Sequence, residues 1–256
     1  MMTPDLLESS SIVRRLLDPS ELGTREYWDS AYTRELQNYE DDASDEGTIW
    51  FDENGAEAAI LKQLDQLATQ GHLCKTNTAT ASASRFLDLG TGNGHLLFAL
   101  REEDDNDEVW QGELVGVDYS DTSVQLARRI AAQKEVSGVR FEQWDLLQET
   151  APPAWLKDGF DVVLDKGTFD AISLMSRDEG QEHACDIYRN RVAALVKPGY
   201  FLSITSCNWT KRELLEWLAP EGGELEFFAE AKYPTFTFGG QTGQTIVTLV
   251  LRRKLK

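Results

Sequence analysis

The chain is poor in the residues that staple small proteins or hold metal. Its three cysteines, Cys74, Cys185 and Cys207, are odd in number and far apart, with no C-x-x-C spacing. That pattern excludes a disulfide framework and a thiol redox motif, and Cys185 and Cys207 read as small hydrophobes. His72, His95 and His183 are as scattered, so no metal site is expected. Long apolar runs are missing as well, and nothing reaches the length of a membrane span. The opening MMTPDLLESSSIVRRLL lacks a basic region followed by an apolar stretch and a small-residue cleavage site. These absences predict a soluble cytoplasmic protein with no membrane partner. Bases are also in short supply: 25 against 44 acids, for a net charge of −19. Such a field repels phosphate backbones and favours basic partners, so nucleic acid is a poor substrate. Solubility alone would account for the same charge. Part of it sits in Glu40-Asp41-Asp42 and in Arg101–Glu108, which read as solvated loops.

What is present is 256 residues with 41% hydrophobic and 27% charged content, ordinary values for a globular chain. No repeat appears. A polar, low-complexity stretch, Lys75–Ser84, reads as a flexible loop and divides the chain. Before it, residues 1–84 form an expected N-terminal helical extension packing on the core. Its helical patterns run from about Thr24, a candidate cap, to Asn38, and from about Asn54 to Ala68. Ala58, Leu61, Leu64 and Leu67 or Ala68 would share a face in the second.

After the loop, residues 85–256 alternate apolar runs with amphipathic segments. Strands are predicted at Arg85–Leu89, Leu114–Val117, Val139–Gln143, Phe160–Leu164 and Tyr200–Thr205. Helices are predicted at Gly94–Arg101, Asp121–Lys134 and Cys185–Val196, the last ended by Lys197-Pro198-Gly199. This alternation implies a mainly parallel sheet covered on both faces. The ending breaks the rhythm. A helix over Glu213–Leu218 is followed by extended runs at Leu225–Lys232 and Thr245–Leu251. The glycine-rich connection from Tyr233 to Gly243 has no room for a crossover helix, so the two runs should pair antiparallel. The expected fold class is α/β, doubly wound, with a mainly parallel seven-stranded sheet and a C-terminal antiparallel hairpin.

The densest signal is Phe86-Leu-Asp-Leu-Gly-Thr-Gly-Asn-Gly94, a buried strand running into a glycine turn that opens a helix. Gly90 and Gly92 would let the backbone approach a ligand, and Gly94 would let helix and strand pack tightly. The spacing is G-x-G-x-G, not the G-x-G-x-x-G of dinucleotide binders. Asp88 would lie where a pyrophosphate must sit. A carboxylate there repels phosphate and suits the amino group of a cofactor's methionine part, which tells against a dinucleotide. Asp118 ends the second strand, placed to accept bonds from both ribose hydroxyls. Asp145, after the third strand, can take an adenine amino group or serve merely as a turn residue, and Leu146 can offer its backbone amide.

These blocks carry a resemblance. Leu22-Gly-Thr-Arg-Glu-Tyr-Trp-Asp29, Trp50-Phe51, the glycine turn, Asp165-Lys-Gly-Thr-Phe-Asp170 and Thr205-Ser-Cys-Asn-Trp-Thr210 follow one another in order. Together they resemble the class I, seven-stranded methyltransferases. More narrowly, they resemble the lysine methyltransferases of translation elongation factor 1-alpha, related to methyltransferase-like protein 10. The turn is generic to the fold; the other blocks are specific. The resemblance implies S-adenosylmethionine as cofactor, protein-lysine N-methylation as the reaction and elongation factor 1-alpha as the partner. It extends the cofactor site to Trp50, Thr91, Asn93 and Tyr119.

Methyl transfer from a sulfonium to an amine is a single displacement, so no general base is mandatory. Asp165 stands where many methyltransferases of nucleic-acid bases carry D/N-P-P-Y, and its different surroundings argue against base methylation. Asp165 would hold the incoming ammonium, and it also counts toward the cofactor site; Lys166 beside it could instead neutralise it in an ion pair. Trp28, Phe51 and Trp209 are the substrate-binding candidates, because a π face suits a cation, though each could equally be core. Tyr27 and Trp28 cannot both face the cofactor. A small-molecule methyltransferase and a catalytically silent cofactor-binding scaffold stay open as alternatives.

Overall fold

The computed structural model describes residues 16–102, 109–177, 180, 182–233, 236–238, 241–243 and 245–255. Most of the acidic stretch Arg101–Glu108 and of the N-terminal opening therefore lies outside the described residues. Helix α1 (Arg25–Asp41) starts where the Thr24 side chain accepts from Tyr27 N, the capping expected from its hydroxyl. A short 3-10 turn at Asp52–Asn54 leads into α2 (Ala56–Thr69). Leu64 and Leu67 of α2 are buried as expected, but its first turns bury Ala56 and Ile60 in place of Ala58 and Leu61, and Ala58 is exposed. Ile60, Leu64 and Leu67 belong to the same buried cluster as Phe86, Leu97 and Phe201, and the helix turns that stripe toward it.

Next come β1 (Phe86–Leu89), α3 (His95–Ala99), β2 (Leu114–Asp118), α4 (Asp121–Gln133), β3 (Val139–Gln143), α5 (Pro153–Leu156), β4 (Phe160–Lys166), α6 (Thr168–Ser173), α7 (Ala184–Leu195), β5 (Val196–Ser206), α8 (Lys211–Leu218), β6 (Leu225–Glu230), β7 (Phe236–Phe238), β8 (Gln241–Gly243) and β9 (Val247–Arg253). The main sheet has the order β3-β2-β1-β4-β5-β9-β6. Its first five strands pair in parallel, and β9 runs antiparallel between β5 and β6. The expected hairpin is the β6–β9 pair. Its connection is more than a loop, because β7 and β8 form a separate two-stranded ribbon there.

Alternation along the strands divides the core into two layers. Phe86, Leu114, Val162 and Leu164 face α1 to α4, and the apolar residues Val124, Leu126, Ala127 and Ile130 of α4 are all buried, as their spacing requires. Leu87, Leu89, Val115 and Val163 face the other way, toward Tyr188, Val192 and Trp217. Strand β5 starts earlier than expected. Lys197-Pro198-Gly199 ends α7, yet the backbone stays extended and Val196 pairs with Phe160 across an irregularity. The Lys75–Ser84 segment is irregular but tied down: Ala83 N donates to Asn77 Oδ1 at 3.0 Å and Gln111 N to Lys75 O at 2.8 Å. Among the described residues no helix is long and apolar enough to cross a membrane.

Candidate active site

Parallel strands bring their C-terminal ends to one edge, where connecting loops can shape a site. Here β1, β2 and β4 deliver the glycine turn, Asp118 and Lys166 to that edge. Gly90, Gly92 and Gly94 all take positive φ, at +60°, +58° and +83°. Their close neighbours are the protein's own groups. A Cβ on Gly90 would stand 2.2 Å from Thr168 Oγ1, one on Gly92 2.6 Å from the Tyr32 hydroxyl, and one on Gly94 2.7 Å from the Phe141 ring. The expected helix–strand packing at Gly94 is therefore seen. Close approach at Gly90 and Gly92 serves side chains that wall the site.

Buried hydrogen bonds hold the turn rigid. Thr91 Oγ1 donates to Asp88 Oδ2 at 2.8 Å. Asn93 Nδ2 donates to Glu46 O at 2.9 Å and so anchors the α1–α2 connection over the turn. Asp118 accepts from Ser120 N at 2.9 Å and from Gly92 N at 3.2 Å. Burial raises its pKa, and those two amides pull it back down. Burial pushes Asp88 further, to about 7, against the Thr91 bond and the field of Lys166.

Beside the turn lies a cavity of about 510 Å³, a volume in the usual range for small-ligand sites. Its wall includes Trp28, Trp50, Phe51, Gly90, Asp118, Tyr119, Asp145 and Leu146, all candidates from the sequence. Trp28 and Trp50 meet edge to face at 5.1 Å, and Trp28 Nε1 donates to Leu22 O at 2.7 Å. Phe51 holds a left-handed backbone, φ +66°, which non-glycine residues seldom adopt. Its ring lies against Gly167, where a Cβ would come within 3.1 Å. Tyr27 stays outside the cavity, as its adjacency to Trp28 demands.

Four expectations need correction. Asp165 does not face the cavity. Its carboxylate accepts from Thr168 N and Phe169 N at the start of α6 and from the Tyr188 hydroxyl at 2.6 Å. Burial raises its pKa to about 7, and these bonds oppose the rise. Side chains alternate along a strand, so it is Lys166 that turns into the cavity. Lys166 does not pair with Asp165 either; its Nζ donates to Trp50 O at 2.9 Å. Trp209 is core, 3% exposed and packed among Phe169 and Trp217. Cys207 is exposed on the cavity wall, unlike the buried Cys185.

Asp145 shows the turn role left open for it. Oδ1 accepts from Leu147 N and Gln148 N, and Oδ2 from Arg25 Nη2 at 2.6 Å. Thr91, Gly92, Asn93, Gly94 and Asp88 shape the turn behind the wall and do not line the cavity itself. Sequence reasoning missed Arg25, Tyr32, Trp144, Lys166 and Asp170, which do. A signal existed for two of them, since Arg25 and Tyr32 lie three residues before and four after Trp28 on one helix face. Asp170 is 5% exposed, and its carboxylate accepts from the Ser206 hydroxyl and from Cys207 N at 2.8 Å. Burial raises its pKa.

The residues suit S-adenosylmethionine. Asp118 offers a buried acceptor for ribose hydroxyls, and the indole and phenyl faces suit a sulfonium. Residues 80–247 match the methyltransferase domain family. Over 230 residues the chain is 38% identical to protein-lysine N-methyltransferase efm4 of Schizosaccharomyces pombe, covering 90% of this chain and 92% of that one. The chain belongs to this methyltransferase family. Over 235 residues it is also 36% identical to EEF1A lysine methyltransferase 2 of Homo sapiens, covering 92% and 88%. Among solved structures, the N-methyltransferase NodS of Bradyrhizobium japonicum, bound to S-adenosyl-l-homocysteine, superposes with a TM-score of 0.53 at 15% identity. The overlap covers 88% of this chain and 98% of that one, and it shows the shared fold.

Proposed function

We propose that the protein is a cytoplasmic, S-adenosylmethionine-dependent lysine N-methyltransferase whose substrate is translation elongation factor 1-alpha. The observation that carries this reading is one cavity with a ribose acceptor, Asp118, an aromatic wall, and a buried carboxylate, Asp170. The relatives named as protein-lysine and EEF1A methyltransferases support the choice of substrate. In this reading residues 1–84 are an N-terminal extension that lends Leu22, Arg25, Trp28 and Trp50 to a core of residues 85–256.

The activated methyl carbon comes with S-adenosylmethionine when it is bound. The protein supplies alignment and dryness. Asp118 would accept from the ribose, Tyr119 and Leu146 would flank the base, and Asp88, behind the turn, would favour the amino end through its field. Trp28, Trp50 and Phe51 would offer π faces to the cationic centre. Asp170, with Asn208 beside it on the wall, holds the incoming ammonium in the place first given to Asp165. Asp170 would thereby keep the substrate nitrogen, once its proton has passed to water, in line with the methyl carbon that the cofactor would supply. An acidic enzyme also attracts a basic protein surface.

Incubation with tritiated S-adenosylmethionine, folded elongation factor 1-alpha and a small-amine extract tests this reading. Label in acid-stable methyl-lysine of the factor supports it. Label confined to the small molecules would install a small-molecule methyltransferase instead.

A further inference from the structure

Lys166 is a half-buried cation on the cavity wall, and methyl transfer as proposed gives it nothing to do. Among the described lining residues only it and Arg25 carry positive charge. Arg25 is spent at one end of the cavity. Its guanidinium pairs with Asp145 at 2.6 Å and lies 4.3 Å from the Tyr119 ring centre, the side assigned to base and ribose. Lys166 is at the other side, one residue beyond the Leu89–Asp165 pairing of β1 with β4, and so next to Gly90.

An ammonium has three donors. Lys166 uses one, to Trp50 O, and among the described residues no carboxylate comes within ion-pair distance of it. Burial lowers its pKa, while the fields of Asp88, Glu57, Asp52 and Asp165 raise it. A partly desolvated cation without a contacting counter-ion carries a cost, and a carboxylate delivered by a ligand offsets it. The cofactor's methionine end is a zwitterion that needs the matching pair of charges. Asp88 lies behind the same turn, and Lys166 interacts with it through the field.

We propose that Lys166 binds the α-carboxylate of the cofactor's methionine moiety, through the donors left free by its bond to the Trp50 carbonyl. This assignment rests on the S-adenosylmethionine reading above. It also couples the two halves of the site, since the same ammonium fixes the Trp50 segment of the aromatic wall.

Calorimetry on the full chain separates the two roles, with S-adenosylhomocysteine and 5′-methylthioadenosine as probes. The second probe keeps the nucleoside and thioether and lacks the amino-acid group. Lys166→Gln retains a donor for Trp50 O and removes the charge. The expected result is a loss of about tenfold or more in affinity for S-adenosylhomocysteine, with methylthioadenosine unchanged. Lys166→Arg keeps the charge and should restore most of that difference even if the glutamine variant folds poorly. Equal losses for both probes would overturn the assignment and leave Lys166 as a positioning residue for Trp50. An unchanged affinity for S-adenosylhomocysteine would overturn it as well. A wild-type chain that binds neither probe would overturn the cofactor reading itself.

Discussion

Asp165 and Lys166 are consecutive in the chain and serve opposite sides of the sheet. The carboxylate accepts from the Tyr188 hydroxyl at 2.6 Å within the core, and the ammonium reaches the Trp50 carbonyl at 2.9 Å on the cavity wall. One is a structural acceptor and the other belongs to the site.

Asp165→Asn should therefore change stability before it changes chemistry. Burial raises the Asp165 pKa to about 7 in the folded protein, from an unfolded value of 3.8. A raised carboxylate favours the fold while protonated. Its contribution is complete below the unfolded pKa and is lost as pH rises through about 7. Asp88, also at about 7, acts with the same sign. Thermal melts from pH 4 to 8 should show a declining wild-type Tm, and Asp165→Asn should flatten part of that decline. A variant with wild-type pH dependence and impaired lysine binding would return Asp165 to the substrate site.

Asp118→Ala removes a buried acceptor for two hydroxyls. Hydrogen bonds to an ionised group are worth roughly 1.5–3 kcal/mol each, so S-adenosylhomocysteine should bind at least about tenfold more weakly. Titration calorimetry on the folded variant checks this, and an unchanged Kd would reject the ribose assignment.

Trp209→Ala should destabilise the protein by about 3–5 kcal/mol, the usual cost of deleting a large core aromatic. Its ring centre lies 6.2 Å from those of Phe169 and Trp217. Denaturant melts measure the loss. A variant of wild-type stability with weakened substrate affinity would contradict the core placement.

The fold was legible where periodicity was strong. The seven strands of the main sheet and the buried face of α4 follow directly from alternating and helical spacing. The short helices α5 and α6 span 4 and 6 residues, too few for a periodic pattern to declare itself. Likewise the glycine turn, Asp118 and Trp50 were readable from strand ends and motif blocks. Which of Asp165 and Lys166 faces the cavity was not, because one residue of register along β4 exchanges the two faces. Arg25 and Tyr32 share the Trp28 face of α1, which spacing alone could have shown, whereas Asp170 reaches the site on α6, a helix too short to announce itself.

Rate should depend on both pH and salt. Only a neutral amine attacks, and an unperturbed lysine titrates near 10.4, so turnover should climb between pH 7 and 9. Asp170→Asn should lower turnover with little change in cofactor Kd, because Asp170 lies on the acceptor side. Steering by a net charge of −19 should weaken as salt shortens the Debye length toward about 3 Å at 1 M. Initial rates on the protein substrate across this range test both points. Rates indifferent to salt would show that the acidic surface does not guide encounter.

The substrate assignment is decided by peptide mass spectrometry of purified, folded elongation factor 1-alpha after incubation with S-adenosylmethionine and enzyme. The account predicts added methyl groups on a lysine of the factor with the wild-type chain, and far less methylation with Asp118→Ala at the same cofactor concentration. No methyl on any lysine of the factor, from enzyme that binds S-adenosylhomocysteine in calorimetry, would contradict it.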